Sequence, residues 1–299
     1  MIINKGAYNI LKKDGEIKKL KCISCKNPSC INPKHNKKLD LPVYLPQSLC
    51  PTEALTFDNN NLNINHKKCI SCGNCAFMCI NKSIFYNYKN NSFEIMKTDR
   101  SDFAFIKELN EKENFHLRDK LSISENKFFN KLKLINQNNK KELISNLLNI
   151  HGIENYAVKT GQHIIRSDLL IYFKKEVIIS EIELNKLTVL EKPREILENY
   201  LMLKNKNIVN VSKNVFIFIL NFPNKRSDYW EVLYDIFKVT NIKIYTIPIL
   251  KLFEFNWQNI SSNMIDFIFD NYFITKKDID KFQRKSMNNL QNDFFTVAK

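Results

Sequence analysis

The sequence predicts a two-domain chain of mixed α and β structure, α+β in its first part and α/β in its second. Its 299 residues are enough for about two domains. All eight cysteines lie between Cys22 and Cys79, which sets the first third apart. From residue 151 onward, short apolar runs alternate with segments of helical periodicity. That alternation predicts a mixed sheet flanked by helices.

The cysteines form two groups. Cys69, Cys72, Cys75 and Cys79 follow a C-x2-C-x2-C-x3-C spacing, and Cys22, Cys25 and Cys30 are followed by Cys50-Pro51. Over residues 1–98 this arrangement resembles the two-cluster 4Fe-4S bacterial ferredoxins. The resemblance implies two 4Fe-4S clusters with crossed ligands. One set would be Cys22, Cys25, Cys30 and Cys79, and the other Cys69, Cys72, Cys75 and Cys50.

The ferredoxin-like pattern departs from the family in its first half, where the gap from Cys25 to Cys30 is one residue longer than usual and residues 31–49 are inserted. Ile80 also replaces the usual proline after Cys79. Zinc is the rival interpretation, since C-x2-C pairs suit it, although zinc sites separate their pairs by a longer spacer. Disulfides are disfavoured because the first residues contain no apolar signal segment.

Composition narrows the classes of function. The formal net charge is +15, which favours an anionic partner such as nucleic acid, although a bias toward Lys, Asn and Ile would give the same charge. No apolar run approaches the roughly 18 residues of a membrane span, so we expect a cytoplasmic protein with no membrane partner. The five glycines cannot form a dinucleotide or P-loop motif.

Beyond the cysteines, we predict a helical linker over 99–137, a second domain over 138–250 and a helical extension over 251–299. The predicted order of elements in the second domain is helix, strand meander, helix, strand, helix, strand. We predict strands over His163–Phe173, Val177–Leu184, Val215–Leu220 and Ile242–Ile247, and a helix that Pro193 opens. A further helix follows a capping box formed by Asp228 and Glu231.

Three carboxylates lie on two of these predicted strands. Asp168 opens one strand, and Glu181 and Glu183 share a face near the end of the next. If the turn at Lys174-Lys175 has an even number of residues, Asp168 faces Glu181. Carboxylates so close repel one another, and Mg²⁺ or Mn²⁺ is the cation we expect between them. A solvated hairpin end is the alternative explanation for these acids.

At these residues the chain resembles the PD-(D/E)xK nuclease superfamily over residues 138–250. The resemblance implies catalytic roles for Asp168, Glu181 and Glu183, with Glu183 standing where that family usually has lysine. It implies metal binding by Asp168, Glu181 and Glu142. Lys186 or Lys159 would replace the missing lysine.

Two other regions are relevant to the resemblance to nucleases. The helix that carries Glu198 and Tyr200 is similar in position to the Gln/Tyr helix of RecB-like nucleases. The segment Phe222–Tyr229 combines aromatic residues with Lys225 and Arg226, and would contact phosphates if it is not simply a surface loop.

These predictions lead to three hypotheses. The first is a metal-dependent nuclease that acts on nucleic acid, with DNA favoured, and whose iron–sulfur clusters shape the binding surface or gate activity. The second is an electron-transfer protein whose C-terminal domain docks a redox partner. The third is a nuclease-like fold that binds nucleic acid without cutting it, which salt-sensitive binding would mark.

Overall fold

The computed structural model describes residues 43–44, 49–58, 61–79, 84–87, 92–95, 128–158, 165–185, 188–207, 209–220, 222–224, 227–257 and 263–284. Cys22, Cys25 and Cys30 lie outside the described residues, as does most of the predicted linker.

The elements are named in chain order. The strands are β1 (Val43–Tyr44), β2 (Leu55–Asp58), β3 (Asn61–Ile64), β4 (Ile84–Asn87), β5 (Ser92–Ile95), β6 (Asn155–Val158), β7 (Leu169–Phe173), β8 (Glu176–Glu183), β9 (Asn214–Ile219) and β10 (Lys243–Pro248). The α-helices are α1 (Asn74–Met78), α2 (Gln137–Ile150), α3 (Lys192–Lys206), α4 (Tyr229–Thr240), α5 (Ile249–Trp257), α6 (Met264–Asn271) and α7 (Lys276–Arg284).

The chain divides into two compact units. The first comprises Met1–Lys38, Pro46–Ile150 and Phe253–Ile260, and the second Leu39–Leu45, His151–Leu252 and Ser261–Lys299. Helix α2, which the sequence assigned to the second domain, groups with the first unit. In the part of the chain that the structure describes, no helix is long and apolar enough to cross a membrane.

The first unit contains two antiparallel hairpins, β2–β3 and β4–β5, together with α1 and α2. Leu49, Ile84 and Phe93 are buried in a core between these elements. Asn146 of α2 is buried and donates a hydrogen bond of 3.3 Å from Nδ2 to the carbonyl oxygen of Leu49. This bond satisfies a polar group inside the core, where an unpaired one would be costly.

The second unit contains a six-stranded mixed sheet in the order β1-β6-β7-β8-β9-β10. Strands β6, β7 and β8 form an antiparallel meander, and β8, β9 and β10 run parallel. Helix α3 connects β8 to β9, and α4 connects β9 to β10. The mixed sheet that the alternating pattern predicted is therefore confirmed.

Burial explains this arrangement. Five of the six residues in each of β9 and β10 are buried, as expected for parallel strands that are covered on both faces. Ile196, Tyr200 and Leu203 of α3 pack into the core that the sheet forms with Tyr229 and other residues of α4. Both helices end at an asparagine in the left-handed conformation, Asn207 and Asn241, which commonly ends helices.

Two local predictions need correction. The capping box is wrong, because the Asp228 side chain makes no cap hydrogen bond; the Ser227 hydroxyl accepts instead from the Tyr229 N–H at 3.2 Å. The strand predicted over His163–Phe173 begins at Leu169 within the described residues. Pro193, by contrast, lies in the first turn of α3, where proline is tolerated.

Candidate functional site

The turn between β7 and β8 sets the register of the carboxylates. Lys174 and Lys175 form a two-residue connection, with φ of 47° and 68°. The ladder runs from Phe173 opposite Glu176 to Leu169 opposite Ser180. Continued by one residue, it puts Asp168 opposite Glu181, so the expectation of an even-length turn is confirmed.

Asp168 contributes to the end of the strand ladder. The residue is only 8% exposed. Its Oδ2 accepts a hydrogen bond of 2.8 Å from the Ile182 N–H, and its own N–H donates to the Ser180 carbonyl at 3.0 Å. The carboxylate thus satisfies a buried backbone donor, which is a structural role in addition to any other.

Glu181 is the most deeply buried acid of the cluster, at 3% exposure. Its Oε1 accepts a hydrogen bond of 2.9 Å from Asn199 Nδ2, and its Oε2 lies 3.8 Å from Lys192 Nζ. Burial, and next the charge of Asp168, raise the pKa of Glu181 to about 8, against the lowering influence of Lys192. The Asp168–Glu181 pair therefore retains a proton near neutral pH.

Lys192 supplies the cation at this cluster. Its Nζ lies 3.8 Å from Glu183 Oε2 and 2.5 Å from Glu195 Oε2, in addition to the Glu181 contact. Burial lowers the pKa of Lys192, but the hydrogen bond to Glu195 and the charges of Glu181, Glu195 and Asp168 outweigh that effect and raise it. The ammonium group is thus held in its charged form among the acids.

The other acids of the sequence prediction lie in different surroundings. Glu183 contacts Lys192 and accepts a hydrogen bond of 2.7 Å from the Asn185 N–H. Glu142 belongs to α2 in the first unit, where burial, and next the charge of Glu53, raise its pKa. Glu142 is therefore not one of the groups that act on Glu181.

The helix with Glu198 and Tyr200 contributes through other residues. Glu198 is exposed and pairs with Arg194 at 2.9 Å, and Tyr200 is buried in the core. The contacts with Glu181 come from Lys192 and Asn199 instead, which the sequence analysis did not select. Helical spacing shows that positions 192, 195 and 199 recur on one face of a helix, but not which acids that face contacts.

The predicted cofactors require correction. Among the residues that the structure describes, no group of three or more His, Cys, Asp or Glu side chains could hold a metal ion. The expectation of two 4Fe-4S clusters and of Mg²⁺ or Mn²⁺ is therefore contradicted. For the carboxylates the physical reason is Lys192, whose ammonium group takes the position between acids that a divalent ion would need.

The described cysteines lie in the first unit. Gly73 adopts φ 83° before α1, and the Ser71 and Asn74 backbones hydrogen-bond to Cys69 and Cys72. Burial is nevertheless the dominant influence and raises the pKa of both thiols, and the charge of Cys50 raises it further. Both thiols are therefore held in their protonated form near neutral pH.

Of the remaining cysteines, Cys75 is half-buried and Cys79 is buried next to the core of the first unit. The Cys79 N–H donates to the Cys75 carbonyl at 3.0 Å, so these two residues belong to one helical turn. Lys159, Lys186, Lys225 and Arg226 lie outside the described residues.

Comparison with known proteins gave no match to any family model, curated protein or solved structure.

Proposed function

We propose that the second unit is a nuclease-like domain that binds nucleic acid, DNA in preference to RNA, without cutting it. The observation that carries the proposal is the position of the Lys192 ammonium group. Its ammonium group contacts Glu181, Glu183 and Glu195, where a metal-dependent nuclease would need an open cation position.

The order of elements supports the nuclease-like assignment. Strands β6, β7 and β8 form a meander, α3 crosses over, and β9 adds parallel to β8. This is the order that the sequence resemblance implies. The acids also lie at neighbouring strand ends, because Asp168 directly precedes β7 and its Oδ2 accepts a hydrogen bond from the Ile182 N–H, next to Glu181.

The charge of the chain supports binding. With 46 basic and 31 acidic side chains, the formal net charge is +15. A chain with this excess is attracted to phosphate backbones, and the attraction weakens steeply as salt displaces it. A fold that keeps its acids neutralised internally and presents lysines outward can bind such a backbone without hydrolysing it.

The proposal is tested by titrating the full chain into short labelled DNA and RNA oligonucleotides, once with EDTA and once with Mg²⁺. We expect equal affinity in both buffers, tighter binding to DNA, affinity that falls steeply between about 50 and 200 mM salt, and intact oligonucleotides. Asp168→Asn serves as the control and should give the same uncut products. Absence of binding, or Mg²⁺-dependent cutting that Asp168→Asn abolishes, would contradict the proposal.

A further inference from the structure

The second unit has two chemically different sheet edges. Glu181 and Glu183 end β8, and Lys192 begins α3, so the acidic cluster lies at the carboxyl ends of the parallel strands. Lysines collect at the opposite edge, where those strands begin. We call this the basic edge, and it comprises Lys174, Lys175, Lys204, Lys206, Lys213, Lys238 and Lys243.

Topology brings these lysines together. Helices α3 and α4 return the chain from the end of one parallel strand to the start of the next, so the last turn of each lies at the basic edge. Lys213 immediately precedes β9. The Val177 N–H donates to the Asn210 carbonyl at 2.8 Å, and the Ser212 N–H to the Val177 carbonyl at 2.9 Å. These bonds fix the approach to Lys213 beside the first residues of β8.

The lysines of the basic edge are available for an anionic partner. Lys174, Lys175, Lys206, Lys213 and Lys238 are exposed. Within the part of the chain that the structure describes, none of the seven lysines makes an ion pair with a carboxylate. This contrasts with the acidic end, where Lys192 and Arg194 are both paired.

Aromatic rings support three of the seven ammonium groups. Lys174 Nζ lies 5.0 Å from the ring centroid of Phe173, Lys204 Nζ lies 5.6 Å from that of Tyr200, and Lys243 Nζ lies 5.6 Å from that of Phe273. Such contacts restrict a flexible lysine without neutralising its charge. Ordering the side chains in advance lowers the entropy that binding must overcome.

The turn itself points to function. A two-residue hairpin with positive φ at both positions favours Asn-Gly, yet this chain has Lys174-Lys175 there. Two lysines in an unfavourable backbone conformation at an exposed tip are explained if their charges are needed. Glu176 adjoins the tip and is half-buried.

We infer that the basic edge is the surface on which the second unit binds the phosphate backbone of nucleic acid, an inference that rests on the proposed function. From β7 to β10 the edge spans three strand spacings, or about 14 Å. That length equals the rise of about four base pairs, so several phosphates can be contacted at once. Binding to a membrane surface uses a broad apolar face beside the charges. Among the described residues in the last turns of α3 and α4, Val239 is the one exposed large apolar side chain.

Matched double variants of the full chain test the inference. Lys174→Asn with Lys175→Gly removes two charges from the tip and installs the favoured turn. Lys206→Ala with Lys213→Ala removes two more from the same edge. The control, Arg166→Ala with Arg194→Ala, removes two exposed charges from the acidic end.

The readout is the slope of log affinity for a labelled DNA duplex against log salt concentration. Each edge pair should lower the magnitude of the slope by about 1 to 2 and weaken binding about tenfold at low salt, whereas the control should change the slope by less than about 0.5. Equal losses for all three variants would overturn the inference. So would edge variants that lose binding to anionic phospholipid vesicles but keep binding to DNA. A wild-type chain that binds no nucleic acid would instead refute the proposed function.

Discussion

The two ends of the parallel strands differ in how their charged side chains are arranged. At the carboxyl ends, Asp168, Glu181 and Glu183 are brought together and neutralised from within, by Lys192 and by a retained proton. At the amino ends, lysines stand without carboxylate partners in the described residues. The comparison teaches that a cluster of acids is not by itself a metal site, because the fold can supply its own cation.

Removal of the Lys192 ammonium group should have the largest effect on the difference between the two ends. Lys192→Met removes the ammonium group and leaves Glu181 and Glu183 without their cationic partner, which should lower the free energy of unfolding by about 3 kcal/mol. Urea denaturation at neutral pH, followed by circular dichroism, measures the loss. Arg194→Met on the same helix is the control: Arg194 is 83% exposed, and its ion pair with Glu198 should contribute less than about 1 kcal/mol. A Lys192→Met loss no larger than that of the control would refute the role of Lys192.

The proton held by the acid pair gives a second, smaller effect. Because the pKa of Glu181 is raised in the fold from 4.5 to about 8, the folded chain binds more protons than the unfolded chain between these values. The contribution of this group to stability is therefore present at low pH and is lost as pH rises through that window. Relative to Glu181→Gln, the wild type should lose about 2 kcal/mol between about pH 5 and about pH 6.5.

Glu181→Gln keeps the shape of the side chain and an oxygen for the Asn199 hydrogen bond. Denaturation curves of both proteins across the pH range isolate the titration of Glu181 and its effect on the groups it contacts, since groups outside the cluster contribute equally to each. Parallel pH profiles would show that Glu181 titrates alike in the folded and unfolded chains, contrary to the account.

The Lys174-Lys175 turn allows the same comparison to be tested at the basic edge. Lys174→Asn with Lys175→Gly should raise the free energy of unfolding by about 1 kcal/mol, because both new residues tolerate positive φ better than lysine does. The same variant should bind DNA more weakly. Thermal denaturation measures the first effect, and a variant that is less stable than the wild type would contradict the account of the turn.

The register of Asp168 and Glu181 was predictable because turn length and strand alternation are local properties. The order of strands and helices followed from apolar periodicity in the same way. Lys192 was not predictable by counting carboxylates, since its contact with Glu181 depends on where the crossover after β8 places the first turn of α3. The metal prediction was wrong for that reason: it included the acids and omitted the ammonium group that reaches them.

The prediction that Asp228 caps α4 was wrong for a related reason. Ser227, one residue earlier, supplies the accepting hydroxyl, and a sequence pattern cannot decide between two adjacent cap residues. The predicted partnership with Cys22, Cys25 and Cys30 lies outside the described residues.

Amide hydrogen exchange of the full chain, with and without a bound DNA duplex, tests the central claim most directly. We expect DNA to slow exchange around residues 172–177 and 204–213, at the basic edge, and to leave exchange around 181–183 and 192–199 unchanged. Protection centred on the Asp168–Glu181–Lys192 cluster, with none at the basic edge, would contradict it.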